Sequence, residues 1–125
     1  MKKFLQGRLA SFNPAFDGFK HVWRTQPNIW LHALISAGVI LVGLWVGLNT
    51  TDWALIGLAM ALVWVTEFVN SAVEAAIDLA SPGEHRLAKI AKDVSAAAVV
   101  LAALAAVLLG FLVLWRPMWE RVFGG

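Results

Sequence analysis

No cysteine occurs in this chain of 125 residues, so disulfides, thiolate zinc sites and a cysteine nucleophile are excluded, and the redox compartment is left open. Charge is scarce as well. Asp, Glu, Lys and Arg make up 14% of the residues against 60% apolar ones, a balance that suits a bilayer better than a soluble globule. Ten Lys and Arg against eight Asp and Glu leave a net charge of only +2. No basic run is long enough to follow a phosphate backbone, which argues against a nucleic-acid partner. No GxxxxGK[ST] segment is present, which removes a conventional P-loop. Residues 1–27 have no continuous apolar stretch and carry charges throughout, so no cleavable signal peptide is expected.

What is present reads as one membrane domain over residues 1–125. In residues 1–27, Phe12, Phe16, Phe19 and Trp23 recur at intervals of 4, 3 and 4 with Lys20 and Arg24 off the stripe. That is the pattern of an amphipathic helix on an anionic membrane surface, or packed on its own bundle. Pro14 falls within it and marks a first-turn position or a kink. Residues 29–48 form a first apolar span, with His32 as its only ionisable group, read as interfacial or pocket-facing rather than a metal ligand. Gly43 and Gly47 make a GxxxG pair, a hint of close helix packing. The polar turn NTTD follows, with Thr51 or Asp52 expected to cap the next helix.

A second span, 53–80, is longer than the roughly 30 Å hydrocarbon layer, so its far end must protrude. After the SPGEHR connection, 81–86, a third span covers 87–115 and leaves a tail, 116–125. Ala98, Ala102, Ala106 and Gly110 give that third span a ridge of small residues suited to close contact. Eight of the ten Lys and Arg precede the first span or lie in 81–92, which puts the amino end and that connection on the cytoplasmic side. Six of the seven Trp lie near span ends, and Trp64 is the exception, a core or lipid-facing residue.

The chemistry concentrates in EFVNSAVEAAID, residues 67–78. Glu67, Asn70, Glu74 and Asp78 are spaced 3, 4 and 4 apart, which places all four on one stripe of a helix. Glu74 and Asp78 repel each other at that spacing, so a cation is expected beside them. Counting at 1.5 Å per residue, Glu67 lies about 21 Å and Glu74 about 31 Å beyond Trp53. Asp78 then reaches the headgroups. Glu74 and Lys92 are each nine residues from Gly83, so an antiparallel hairpin would set Lys92 at the depth of Glu74.

A carboxylate at the bilayer centre costs roughly 2.5 to 3.5 kcal/mol on insertion scales and usually marks a function. Helix gluing is the plain alternative, but it rarely calls for three acids in a line. Three acids, an amide and a lysine at a membrane interface suit phosphoryl transfer from a nucleotide to a lipid hydroxyl. Glu74 would hold Mg²⁺, Lys92 would meet the phosphate, and Glu67 would orient or deprotonate the hydroxyl. An ion or proton path through the bundle could use the same acids.

The segment EFVNSAVEAAIDLASPGEHRLAKIAKD, residues 67–93, resembles the signature ExxNxAxExxxD...HxxAKxxKD of the small integral-membrane diacylglycerol kinase and undecaprenol kinase family. Thr25, Asn28 and His32 add its TxxNxxxH pattern, and the similarity extends over essentially the whole chain. The resemblance implies an all-α integral membrane protein, with a surface helix and three transmembrane helices. It further implies a homotrimer with sites shared between subunits, in the bacterial inner membrane, using ATP and Mg²⁺ at the cytoplasmic face. Position by position it makes Glu67 the catalytic base and Glu74 a metal ligand. Asn70 and Asp78 become polar site residues, Lys92 a phosphate contact, Asp93 a nucleotide-side acid, and His85 a residue near the nucleotide. HRLAKIAKD is closer to the undecaprenol kinases, which favours undecaprenol over diacylglycerol as acceptor. One position departs: where the family commonly has a glutamate metal ligand, this chain has Gln26, which offers an amide oxygen without charge. A catalytically impaired membrane scaffold is the reading that this departure leaves open.

Overall fold

The computed structural model describes residues 12–83 and 85–124, all of them helix or short connection. Helix α1 spans Asn13–Thr25, α2 Asn28–Val46, α3 Thr50–Ala80 and α4 Arg86–Phe123. Residues 1–11 of the expected surface helix, Glu84 in the connection and Gly125 in the tail lie outside the described residues. Helices α2, α3 and α4 are each long and apolar enough to cross a membrane.

Pro14 sits in the first turn of α1, where its missing N–H costs nothing. The helix buries Val22 against the bundle and leaves Phe12 and Phe16 exposed. Trp23 stacks on Phe19, meets Trp30 edge-on, and stacks at 5.9 Å on Trp64 of α3. Phe19 also touches Phe68 at 5.4 Å. The same helix therefore leaves some of its aromatics exposed and packs others on its own bundle. Trp64, the tryptophan away from the span ends, is held in this cluster and donates to Ser36 Oγ at 3.3 Å.

The two glycines of the GxxxG pair do different work. Gly47 ends α2 with φ +74, a left-handed conformation that a Cβ disfavours, and the N–H groups of Gly47 and Leu48 both donate to the Gly43 carbonyl at 3.1 Å. Gly43 is the close-packing residue: a Cβ there would lie 2.8 Å from the Trp53 ring. The cap of α3 is Asn49 rather than Thr51 or Asp52. Its Oδ1 accepts from the Asp52 N–H at 3.0 Å, and its Nδ2 donates to the Asp52 carboxylate at 2.6 Å. Asn49 prevails because it stands immediately before the first helical residue, within reach of the free N–H three positions on.

Helices α3 and α4 pack against each other along much of their length, and α2 touches the pair at fewer points. On α3 the buried positions are Ile56, Ala59, Val63, Glu67, Asn70 and Ser71. On α4 they are Val99 and Ala102, flanked by half-buried Ser95, Ala106 and Gly110. Ala98, the first residue of the expected small-residue ridge, is exposed. Steps of four turn by about 400°, so such a row drifts off the contact by about 40° each time, whereas alternating steps of four and three stay on it.

The third span also runs past its expected end at Trp115, continuing through Pro117 to Phe123. Residues 116–123 are thus helix rather than tail. The proline forfeits one backbone bond, and two i,i+4 features carry the helix across it. Arg116 donates to Glu120 at 2.9 Å, and Phe111, Trp115, Trp119 and Phe123 form a ladder with ring centroids 5.4, 5.7 and 4.6 Å apart.

Gly43→Leu is expected to destabilise the folded protein in detergent by about 1–3 kcal/mol through overpacking against Trp53. Gly47→Ala is expected to cost about 1–2 kcal/mol through its left-handed backbone. Denaturant titration followed by tryptophan fluorescence would measure both, and pairing Gly43→Leu with Trp53→Ala should recover part of the first loss.

Candidate functional site

The stripe lies on the face of α3 that packs against its neighbours, and its burial is graded. Glu67 is 2% exposed, Asn70 6%, Glu74 half-buried, and Asp78 exposed. Within hydrocarbon the helix backbone satisfies itself, so side-chain polar groups have to find partners across the bundle. Glu74 does so twice: Gln26 Nε2 donates to Oε2 at 2.9 Å, and Asn70 Nδ2 donates to Oε1 at 3.0 Å. The oxygen of Asn70 in turn accepts from Ser95 Oγ of α4 at 2.6 Å. One chain of hydrogen bonds therefore joins the α1–α2 junction, α3 and α4.

Ser95 went unnoticed in the sequence, because a lone serine in an alanine-rich helix carries no local signal. Its pairing with Asn70 exists only through the packing of α3 on α4.

Lys92 does not pair with Glu74. The Asn70–Ser95 bond sets the two helices in a register that brings Lys92 opposite Glu74, but its ammonium reaches on to form an ion pair and hydrogen bond with Asp78, nearer the connection that closes the hairpin. A lysine can extend its ammonium toward water along its aliphatic stem, and both Glu74 oxygens already have amide donors. The cation required by the Glu74–Asp78 repulsion is thus Lys92, bound to the outer acid. Asp93 pairs with Lys89 one turn away at 2.6 Å. His85 caps α4, its Nδ1 accepting from the Leu87 N–H at 3.2 Å.

Asp78, His85, Lys89, Lys92 and Asp93 line a cleft of about 870 Å³ between the end of α3 and the start of α4, floored by Ser81, Pro82 and Gly83. Glu67, Asn70, Glu74 and Gln26 lie outside its lining. The expected site residues thus fall into two groups, an outer set around an open polar cleft and an inner set along the helix seam.

Deepest in that seam, Glu67 Oε1 is buried without a hydrogen-bond partner among the described residues. Its nearest cationic candidate is His32 Nε2 at 3.6 Å. Ser71 Oγ bonds the Glu67 backbone carbonyl at 2.9 Å and leaves the side chain alone.

No three His, Cys, Asp or Glu side chains converge among the described residues, so an all-protein metal cage is absent there. The half-buried Glu74 carboxylate is a hard oxygen ligand of the kind Mg²⁺ uses when phosphate and water complete its shell, though both of its oxygens here accept from the amide N–H groups of Gln26 and Asn70, which a metal would have to displace.

Fold and site together define a polytopic α-helical membrane protein with a graded polar centre at one end of its bundle. The family described as prokaryotic diacylglycerol kinase matches residues 13–114, and the chain belongs to that family, one of membrane-embedded lipid kinases. It is 38% identical over 111 residues to a diacylglycerol kinase of Synechocystis, covering 88% of this chain and 63% of that protein. It is 33% identical over 108 residues to an undecaprenol kinase of Bacillus subtilis, covering 81% and 88%. To the diacylglycerol kinase of Escherichia coli it is 26% identical over 101 residues, covering 81% and 83%.

Ser95→Ala is expected to cost about 1 kcal/mol of stability by removing the Asn70 partner. Asn70→Leu should cost more, about 1–3 kcal/mol, since it strips a donor from Glu74 and an acceptor from Ser95 together. A double-mutant cycle by denaturant titration checks both, with a coupling energy of at least about 0.5 kcal/mol between the two sites.

Proposed function

We propose that this chain is an ATP-dependent lipid kinase that transfers the γ-phosphate to a membrane lipid hydroxyl, with undecaprenol as the acceptor. The observation that carries the reading is the burial gradient of the stripe, from a carboxylate sealed in the seam to one that opens on a lysine-bearing cleft. Such a gradient suits a reaction whose acceptor comes from lipid and whose donor comes from water. In this reading the outer cleft takes the nucleotide, with Lys92 and Lys89 toward its phosphates and Asp78, His85 and Asp93 around it. Asn70 holds Glu74 in place. Glu67 takes up the acceptor's proton.

Glu74, with the amide of Gln26 beside it, would hold Mg²⁺, which when bound would neutralise charge on the transferring phosphate. Gln26 supplies no charge of its own, and as donor to Glu74 it competes with a metal for that carboxylate. This is the observation behind the second reading, an impaired family member acting as a scaffold. The assembly is proposed as a homotrimer in the bacterial cytoplasmic membrane with the cleft on the cytoplasmic side. The concentration of Lys and Arg at that end supports the orientation.

The segment HRLAKIAKD, residues 85–93, supports undecaprenol, whereas the Synechocystis relative, a diacylglycerol kinase, supports diacylglycerol as the alternative. Supplying purified protein with Mg·ATP and each lipid separately is expected to give faster phosphorylation of undecaprenol. Glu67→Gln should lower turnover on either lipid by roughly 100-fold or more; equal turnover would sink the assignment. Gln26→Glu should reduce the Mg²⁺ concentration for half-maximal activity by roughly three- to tenfold, through the added ligand charge. An unchanged Mg²⁺ requirement would remove Gln26 from the metal site.

A further inference from the structure

The carboxylate assigned to take up the acceptor's proton is too well buried to touch a lipid. Glu67 is 2% exposed, its Oε1 is sealed and without a hydrogen-bond partner among the described residues, and it lines neither the outer cleft nor an apolar groove beside α2. His32 bridges the gap. Its Nε2 stands 3.6 Å from Glu67 Oε1, and its side chain, 14% exposed, lines this groove of about 590 Å³ formed by α2, α3 and α4.

That groove runs from His32 and Val63 past Ala106 and Phe111 to Met118. At its inner end the polar side chains are His32 and Ser36, and the Ser36 hydroxyl already accepts from the Trp64 indole. His32 is therefore the uncommitted polar group where an apolar chain lying in the groove would present a hydroxyl. Its two ring nitrogens face different tasks: Nε2 is turned to Glu67, leaving Nδ1 for a second partner.

We propose that His32 is a catalytic residue that relays the proton of the acceptor hydroxyl to Glu67. The inference rests on the lipid-kinase reading above and adds the group that meets the lipid. In the transfer, the lipid O–H bond breaks and its proton goes to Nδ1, while the proton on Nε2 passes to Glu67 Oε1. The lipid oxygen bonds to the γ-phosphorus, and the bond from that phosphorus to the β–γ bridging oxygen breaks, leaving ADP. Glu67 ends neutral, and the imidazole stays neutral in its other tautomer. The His32–Glu67 separation has to shorten by about half an ångström for this, as catalytic contacts commonly do once substrate is bound.

The test uses the full-length protein in detergent or nanodiscs with Mg·ATP and the lipid found active, and compares wild type, His32→Ala, His32→Gln and Glu67→Gln. His32→Ala is expected to lower kcat by roughly 100-fold, a typical proton-transfer contribution, with KM for lipid and Mg·ATP changed less than about twofold. Added imidazole should restore at least about tenfold of that loss by filling the vacated space. His32→Gln keeps a polar side chain and should lose kcat equally, which guards against misfolding of the alanine variant. Glu67→Gln should be inactive and unresponsive to imidazole.

If Glu67→Gln is inactive while both His32 variants turn over normally, the relay is overturned and the kinase reading stands. Full activity in Glu67→Gln overturns both. A His32 loss that raises lipid KM without imidazole rescue, or that changes the mass of the detergent-solubilised particle, makes His32 a packing residue at a groove filled by lipid or by a second copy, and also ends the proposal.

Discussion

A carboxylate carried into a helix seam within hydrocarbon has to be met by the protein itself, because lipid tails offer no hydrogen bonds and leaving such a group unpaired is costly. Much of the bundle follows from that constraint. Glu74 draws Gln26 from the α1–α2 junction and Asn70 from its own helix, and Asn70 draws Ser95 from α4. These bonds tie together elements that the apolar contacts alone would hold less specifically, since lipid chains solvate a leucine as well as another leucine does. Close packing does the rest, through Ala59, Val99 and Ala102 in the α3–α4 seam and through Gly43 against Trp53.

Within this arrangement Glu67 stands apart. The chain pairs its other seam acid twice over, yet among the described residues one oxygen of Glu67 is sealed and unbonded. Structural acids are not usually kept this way, and a buried, unsatisfied group is more often found where a reaction uses it. The contrast between Glu74, fully bonded, and Glu67, poised beside His32, separates two roles along a single helix face. The outer end differs again: Asp78 and Lys92 are solvated, and their pairing contributes little to stability. Its value lies in setting charges of both signs around an open cleft.

A second device holds α1 to the bundle, aromatic rather than polar. Trp23 links Phe19, Trp30 and Trp64, fastening α1 across the start of α2 and the middle of α3. The same helix ends at Thr25, next to the Gln26 that bonds Glu74. The end of α1 and the half-buried Glu74 are therefore joined through a single hydrogen bond from Gln26.

Helix number, helix type and the polar stripe were legible in the sequence because they depend on local periodicity and on the length of apolar runs, both of which a single segment carries within itself. Glu67, Asn70, Glu74 and Asp78 share a face for that reason, whereas their graded burial comes from how far the neighbouring helices cover that face. The partners were decided by tertiary packing. Lys92 met Asp78 instead of Glu74 because side-chain reach and prior occupancy, rather than equal distance from a turn, determine which groups touch. Ser95 and His32 gained their places only when α4 and α2 settled against α3. Pro117 stayed helical because a ladder of aromatic rings and an ion pair outweighed one missing hydrogen bond, a balance between competing terms that residue type alone does not express.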